Sequence, residues 1–363
     1  MRTRRLAAAA VVIALLASGC AAREQRPRAV ISATPRPPLV ASEVVGAPVP
    51  RGFVPLSVTA VSPTTFWVLG TAPCRAQPCT SLVRTTDGGR SFVGLHAPVA
   101  GTPGGDGTVG RTTVTDVRFA DTRDGWVYGG ALFSTHDGGA SWRRVEMPGP
   151  VMRLEAAAGT AWAIVGSGDT FSLYRSAIGT DAWVQVTLPA TLVAPPPDLA
   201  LAGRQVIVLD NASSPGRLLV STDGGTTFEV RSSGCDGGLG GSLSPAAGAL
   251  WMVCPTGTLA SLLRSPAQPL SFAFVDHPPM PNSAMVGAVG LTTAVLAIGG
   301  RLERTDDAGA HWIPVTSSVN AGQFRFVGFT TPAVGYALRT IPDQALLRTT
   351  DGGLTWTVVS FAM

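Results

Sequence analysis

The sequence predicts an all-β chain folded as a seven-bladed β-propeller of four-stranded antiparallel blades, and three observations predict it. First, an eight-residue pattern (hydroxyl, any residue, Asp, Gly, Gly, any residue, hydroxyl, aromatic) occurs at residues 85–92, 135–142, 221–228 and 349–356, and 305–312 keeps Thr305, Asp307, Gly309 and Trp312 of it. Second, two worn copies, with Ile178 and Ala267 where Asp belongs, complete an even series. The starts fall at 85, 135, 176, 221, 265, 305 and 349, in steps of 50, 41, 45, 44, 40 and 44 residues. Third, the runs TAWAIVG, QVIVLD and AVLAIGG between the boxes are apolar at successive positions. A strand buried on both faces belongs to a sheet packed on both sides. Repeats of this length with four strands each read as propeller blades.

The chain opens with a basic run, MRTRR, and an apolar stretch over residues 6–17. That stretch is too short for a spanning helix, which needs about 20 residues, and it reads as a secretory leader. It ends in Leu16-Ala17-Ser18-Gly19-Cys20, which resembles a bacterial lipobox. The resemblance implies a leader over 1–19, a diacylglyceryl thioether on Cys20, and anchorage of the exported protein to the outer face of the cell membrane. Residues 20–51 hold Pro27, Pro35, Pro37, Pro38, Pro48 and Pro50 and are expected to form an extended linker, with the propeller over 52–363. Residues 39–45 could add an edge strand.

All 27 basic residues are Arg, against 23 acids. Three lie in the leader and five, with two acids, in the linker, which leaves nineteen Arg against twenty-one acids. The basic character is therefore confined to the N-terminus, and the folded part carries no signature of nucleic-acid binding. Apart from Cys20 there are four Cys, an even number that suits disulfides in an exported chain. We pair Cys74 with Cys79, inside one loop, and Cys235 with Cys254.

From residue 52 each unit reads as strand, turn, apolar strand, loop, strand, box, strand. In unit one these are SVTAVSP, FWVLG, SLVRT, the box and FVGL. Asp-Gly is the strongest short hairpin signal, because Gly takes positive φ and Asp bonds its own backbone. Asp87, Asp137, Asp223, Asp307 and Asp351 are accordingly expected to hold turns, with the aromatic packed over them. Arg84, Arg175, Arg264, Arg304 and Arg348 each stand just before a box. Repetition in five units argues for a structural task, such as capping the box carboxylate or stacking on its aromatic.

The box resembles the Asp-box of sialidase-like propellers, where it is a structural turn. The strand–box pattern, with LLRTTDGGLTW and DGWVYGG, also resembles the photosystem II stability/assembly-factor-like propellers over roughly residues 56–361. That resemblance implies a non-enzymatic scaffold or assembly role. The overall reading is a membrane-anchored, non-catalytic propeller that binds a protein or an envelope polymer, as a monomer. The sialidase Phe-Arg-Ile-Pro motif is absent, no Arg triad stands out, and Tyr128, Tyr174 and Tyr336 are the tyrosines available. The four His are scattered, and no motif indicates a metal or a cofactor. The alternative is a glycan hydrolase that uses acids in the loops, Asp106, Asp169, Asp210, Asp236, Asp276 and Asp343.

In such blades the boxes share one face with the turns between first and second strands, and the longer loops fall on the opposite face. Function concentrates on loops carried by a rigid scaffold. The binding surface is therefore expected on the face away from the boxes and at the mouth of the channel, with Arg75, Gln77, Asp106, Arg111 and Asp236 as candidate contacts.

Overall fold

The computed structural model describes residues 46–74, 78–103, 110–235, 241–255, 259–276, 284–315 and 322–361. Cys20, the 39–45 segment, Arg75, Gln77, Asp106 and Asp236 lie outside them. The chain forms seven antiparallel sheets in sequence order, each running from its first strand outward to its fourth. Blade one comprises Val54–Ala60, Phe66–Pro73, Pro78–Thr85 and Val93–Leu95. Blade seven comprises Gln323–Phe329, Gly335–Ile341, Ala345–Thr349 and Thr357–Val358. Blade three gains a short fifth strand, Leu192–Val193, paired to its third. Both worn boxes lie between the third and fourth strands of their blades, as the even spacing requires.

The second strands carry the core. Gln205–Asp210 is buried at every position, and so is Ala294–Ile298. Each face of such a strand meets a different neighbour, so the apolar core divides into seven clusters, one per seam between consecutive blades. Trp67, Leu69 and Leu82 of blade one pack with Val117, Val127 and Trp142 of blade two. Trp126 and Leu132 of blade two pack with Leu154, Ala163 and Trp183 of blade three. The seventh cluster closes the ring: Tyr336, Leu338 and Leu346 of blade seven meet Phe66, Val83 and Phe92 of blade one, with Val49, Phe53 and Phe361 against them. Every strand of blade one comes from its own unit, and so does every strand of blade seven, so closure exchanges no strand.

Residues 46–51, counted with the linker above, belong to this packing. Ala47 exchanges backbone hydrogen bonds of 2.9 and 2.7 Å with Gly94 on the outer strand of blade one, and Val49 reaches the closing seam.

The boxes are built alike. In blade seven Thr349 Oγ1 donates to Asp351 Oδ1 at 2.7 Å and accepts from the Gly353 amide at 2.9 Å, while Asp351 Oδ1 accepts from the Thr355 amide at 2.9 Å. Blades one, two, four and six repeat the scheme. In blades one, two, six and seven the first amide after the Asp reaches the turn between the first two strands of its own blade: Gly88 donates to Thr64 O and Gly352 to Ala333 O, both at 2.9 Å. The two kinds of turn thus share a face.

The box aromatic lies against its own turn, as expected, with Trp356 Nε1 donating to Gly353 O at 3.1 Å, and it does a second job as well. It belongs to the seam with the preceding blade, where Trp183 lies edge-on to Trp126 at 6.4 Å and Trp312 lies edge-on to Trp251 at 6.4 Å. Three of the five recurrent Arg also reach a backbone carbonyl across a seam, and Arg304 pairs with Asp306 besides. Arg304 Nε donates to Gly352 O at 2.9 Å, Arg348 Nη2 to Pro63 O at 2.9 Å, and Arg175 Nη1 lies 3.5 Å from Gly224 O. Trp67 Nε1 makes a similar crossing to Gly138 O at 3.0 Å. Blades one, three, six and seven therefore latch onto the turn of the next. The glycine there has to be bare: at Gly225, with φ +79°, a Cβ would run into the Trp162 ring.

Blade six breaks one rule, since Ala308 holds φ +66° where the intact boxes have Gly. The left-handed conformation costs a residue with a Cβ about 1 kcal/mol. Ala308→Gly should therefore raise stability by about 0.5 kcal/mol after the added freedom of the unfolded chain is subtracted. Asp351→Ala should lower it by about 1 kcal/mol, because solvent reaches the freed donors. Chemical denaturation of the two variants side by side checks both signs.

Candidate functional site

The first strands surround a central cavity of about 1260 Å³ lined by residues of all seven blades. A β-strand turns successive side chains to opposite faces, so each first strand sends alternate residues into a seam and into the channel. In Val114–Phe119, Val114, Val117 and Phe119 enter the first seam while Asp116 and Arg118 line the channel. In Val151–Ala157, Val151 and Leu154 enter a seam while Arg153 and Glu155 line the channel.

These side chains form a chain of alternating charge around one arc of the wall. Arg325 of blade seven lies 4.0 Å from Asp116 of blade two, across the first strand of blade one. Arg118 pairs with Glu155 of blade three and also donates to Leu154 O at 3.3 Å. Arg153 Nε donates to Asp198 Oδ1 of blade four at 2.8 Å, and Asp198 Oδ2 accepts the Leu243 amide of blade five at 2.7 Å. The opposite arc is apolar, with Leu243, Ala284, Met285, Val286, Ala288 and Val289. Burial pushes the Glu155 carboxyl up despite Arg118, and burial, aided by Asp116, pushes the Tyr128 phenol up.

Most of this arc also holds the ring together. Arg118, Arg153 and Asp198 each reach from their own blade to the next, as the hydroxyls of Ser57 and Ser244 do by accepting from the Val117 and Ala288 amides at 3.2 and 2.9 Å. Arg325 is the loosest member, since among the described residues it has only the long contact to Asp116.

Of the residues nominated on the face away from the boxes, Arg111 is described and stands exposed on the turn before Thr113. The other four lie outside the described residues. Cys74–Cys79 bridges the loop between the second and third strands of blade one, with Cα atoms 5.7 Å apart. Cys235–Cys254 is not a surface clasp. Both cysteines are buried in the seam between blades four and five, where Val220 stands in the pre-box position that Arg fills elsewhere. Of the acids available to a hydrolase, Asp210 is buried against Arg217 and caps the Ala212 amide at 3.1 Å, and Asp343 pairs with Arg339 at 2.5 Å. Among the described residues no cluster of His, Cys, Asp and Glu is arranged to hold a metal ion.

Reading the long loops missed the charged arc. Its signal was present in the alternation of VTDVRF and VMRLEA, where charged residues interrupt an apolar strand at every second position.

No protein-family model matches the chain, and no curated protein matches it. Solved structures do. YCF48 bound to D1 peptide superposes with a TM-score of 0.57 at 18% identity, over 85% of this chain and 95% of that one. YCF48 from Cyanidioschyzon merolae gives 0.57 at 17% identity, over 84% and 97%. At this identity the likeness is one of fold, and it extends around the whole ring.

The Arg118–Glu155 pair makes a checkable statement about the arc. Arg118→Met should cost about 2 kcal/mol at neutral pH, because it strands a partly buried carboxylate, and Arg118→Met with Glu155→Gln should recover most of the loss. The single variant's deficit should shrink as pH falls and Glu155 takes up a proton. Thermal unfolding of the three proteins across pH measures it.

Proposed function

We propose that this chain is a non-catalytic propeller that binds a protein partner, held at the outer face of the cell membrane by lipid on Cys20. One observation carries the binding role: the channel wall is half apolar and half charged, and it is built on strands instead of loops. A ligand entering it meets groups already ordered by the seams, so little ordering cost is charged to binding. The apolar arc from Leu243 to Val289 suits the side chains of an extended polypeptide, and the exposed Arg325 and Asp116 suit its polar groups. The structure of YCF48 with D1 peptide supports a polypeptide as the kind of ligand that this fold accepts. An envelope glycan is the other ligand that the sequence reading allows, and it is an outcome of the same test. The non-catalytic reading is supported by the commitment of the channel acids to Arg partners and to a backbone amide.

The test is a pull-down from detergent-solubilised envelope with the full-length lipidated protein, run beside Met285→Asp, Arg325→Glu, Arg111→Glu and Arg90→Glu forms. The two channel variants should weaken capture of the partner by about tenfold or more, as central contacts do. Arg111→Glu should weaken it less, and Arg90→Glu, on the box face, should leave it unchanged. The reverse ranking would move the site to the box face, and turnover of a glycan substrate would end the non-catalytic reading. Mass spectrometry of the native protein should find a diacylglyceryl group on Cys20, and Cys20→Ala protein should appear in the medium.

A further inference from the structure

The seam between blades two and three is latched differently from the others. Its pre-box position is Ser134 where five blades have Arg. The facing box of blade three is the worn copy, which has Ile178 in the Asp position and carries an Asp three residues later. That residue, Asp181, holds φ +53° and keeps its side chain 1% exposed. Its carboxylate crosses the seam and collects donors from blade two: Ser134 Oγ at 2.6 Å, Arg143 Nη2 at 2.6 Å and Trp126 Nε1 at 3.4 Å. The fourth partner is His136 Nε2, at 3.0 Å. The other ring nitrogen, Nδ1, lies 2.6 Å from Asp124 Oδ1, in the turn between the first two strands of blade two.

A neutral imidazole has one N–H and one lone pair, and only the imidazolium donates from both nitrogens. Placed between two carboxylates, the neutral ring can satisfy one and must turn a lone pair to the other. Asp181 has three further donors. Asp124 holds the shorter contact to the ring. The neutral ring therefore keeps Nδ1–H on Asp124, and the interblade contact is the one that opens.

We propose that His136 is a pH-sensitive latch: its imidazolium adds a clamp to the box face of the seam between blades two and three, and deprotonation opens that contact and loosens the face, which Ser134, Arg143 and Trp126 still hold on Asp181. The surroundings agree in sign. Asp121, Arg123 and Asp124 on the adjoining turn, Asp137 and Arg143 on the same blade, and Asp181 on the next are the charged groups around the ring. Of these, Asp121 accepts the Arg123 and Asp124 amides, Asp137 is taken up by its own turn, and Arg143 lies against Asp181. Burial lowers the affinity of His136 for its proton, but Asp124 and Asp181 outweigh it and the net shift is upward. A raised folded value means that the latch is fully made below the ordinary histidine range and is lost as pH rises through the folded value. An exported protein meets such changes directly, and the inference holds whatever the ligand proves to be.

The experiment follows the His136 ring by NMR in the full chain and, in parallel, amide exchange at Trp126 and Trp183, set against Gly353 and Trp356 at the seam that Arg304 latches. The ring should titrate above about 6.5, the unperturbed value, and Asp124→Asn should bring it down. Crossing that pH should raise exchange at the first seam, between blades two and three, beyond the intrinsic base-catalysed increase, as local opening of that seam requires. The second seam should show only the intrinsic increase, and His136→Gln should abolish the difference between the two. A ring that titrates at or below about 6.5, or parallel exchange at both seams in the wild type, would overturn the proposal.

Discussion

A four-stranded blade with two apolar faces cannot bury both by itself, and everything else in this molecule follows from that. Repeats that share their core only with neighbours must either end in polar caps or close on themselves. This chain closes. Seven seams replace a single interior, and the last one draws on both ends of the described chain, with Phe53 and Phe361 stacked edge-on at 4.9 Å. A ring of this kind leaves its axis unfilled, so the channel is a consequence of the closure before it is a site.

Apolar packing alone does not set how far one blade turns against the next. The box turns provide a fixed post for that purpose. Their carbonyls project toward the preceding blade, which reaches them with Arg175, Arg304, Trp67 or, at the closing seam, Arg348 on the neighbouring turn. Where the donor is missing, another bond holds the seam. Between blades two and three it is the Asp181 cluster, and between blades four and five it is the buried Cys235–Cys254 bridge together with the Asp198 contact to the Leu243 amide. That bridge therefore serves the seam.

How much of this was legible followed from the range of each interaction. The boxes were legible because the turn is local: hydroxyl, Asp, Gly and aromatic act within eight residues. The worn copies were legible from spacing, since a missing blade would break the ring. The latches were hidden, because an Arg before a box looks the same whether it serves its own turn or the next one, some 48 residues on, as with Arg304 and Gly352. Asp181 was hidden for a related reason. It stands at the wrong place in its own box and acts only on the blade before. The charged arc lay in plain view as period-two interruptions of apolar strands, and attention to the long loops passed over it.

The arc then poses a question of economy that the geometry answers. Arg118, Arg153 and Asp198 serve the seams and face the cavity at once. A ligand that drew one of them away would have to replace an interblade bond, and the ring would resist. Arg325 is free of that constraint, because its contact to Asp116 spans the cavity edge at 4.0 Å and holds no seam between consecutive blades. Met285 on the apolar arc is free of it too, since it is half-buried against its seam and presents its remainder to the channel, whereas Ala284, Val286 and Ala288 belong to the core between blades five and six. Recognition can therefore use Arg325 and the Met285 side of the wall without loosening the scaffold, while the paired charges set the polarity that a ligand must match. In the proposed binding role, Arg325 and Met285 are thus the side chains that can change with the least effect on the seams.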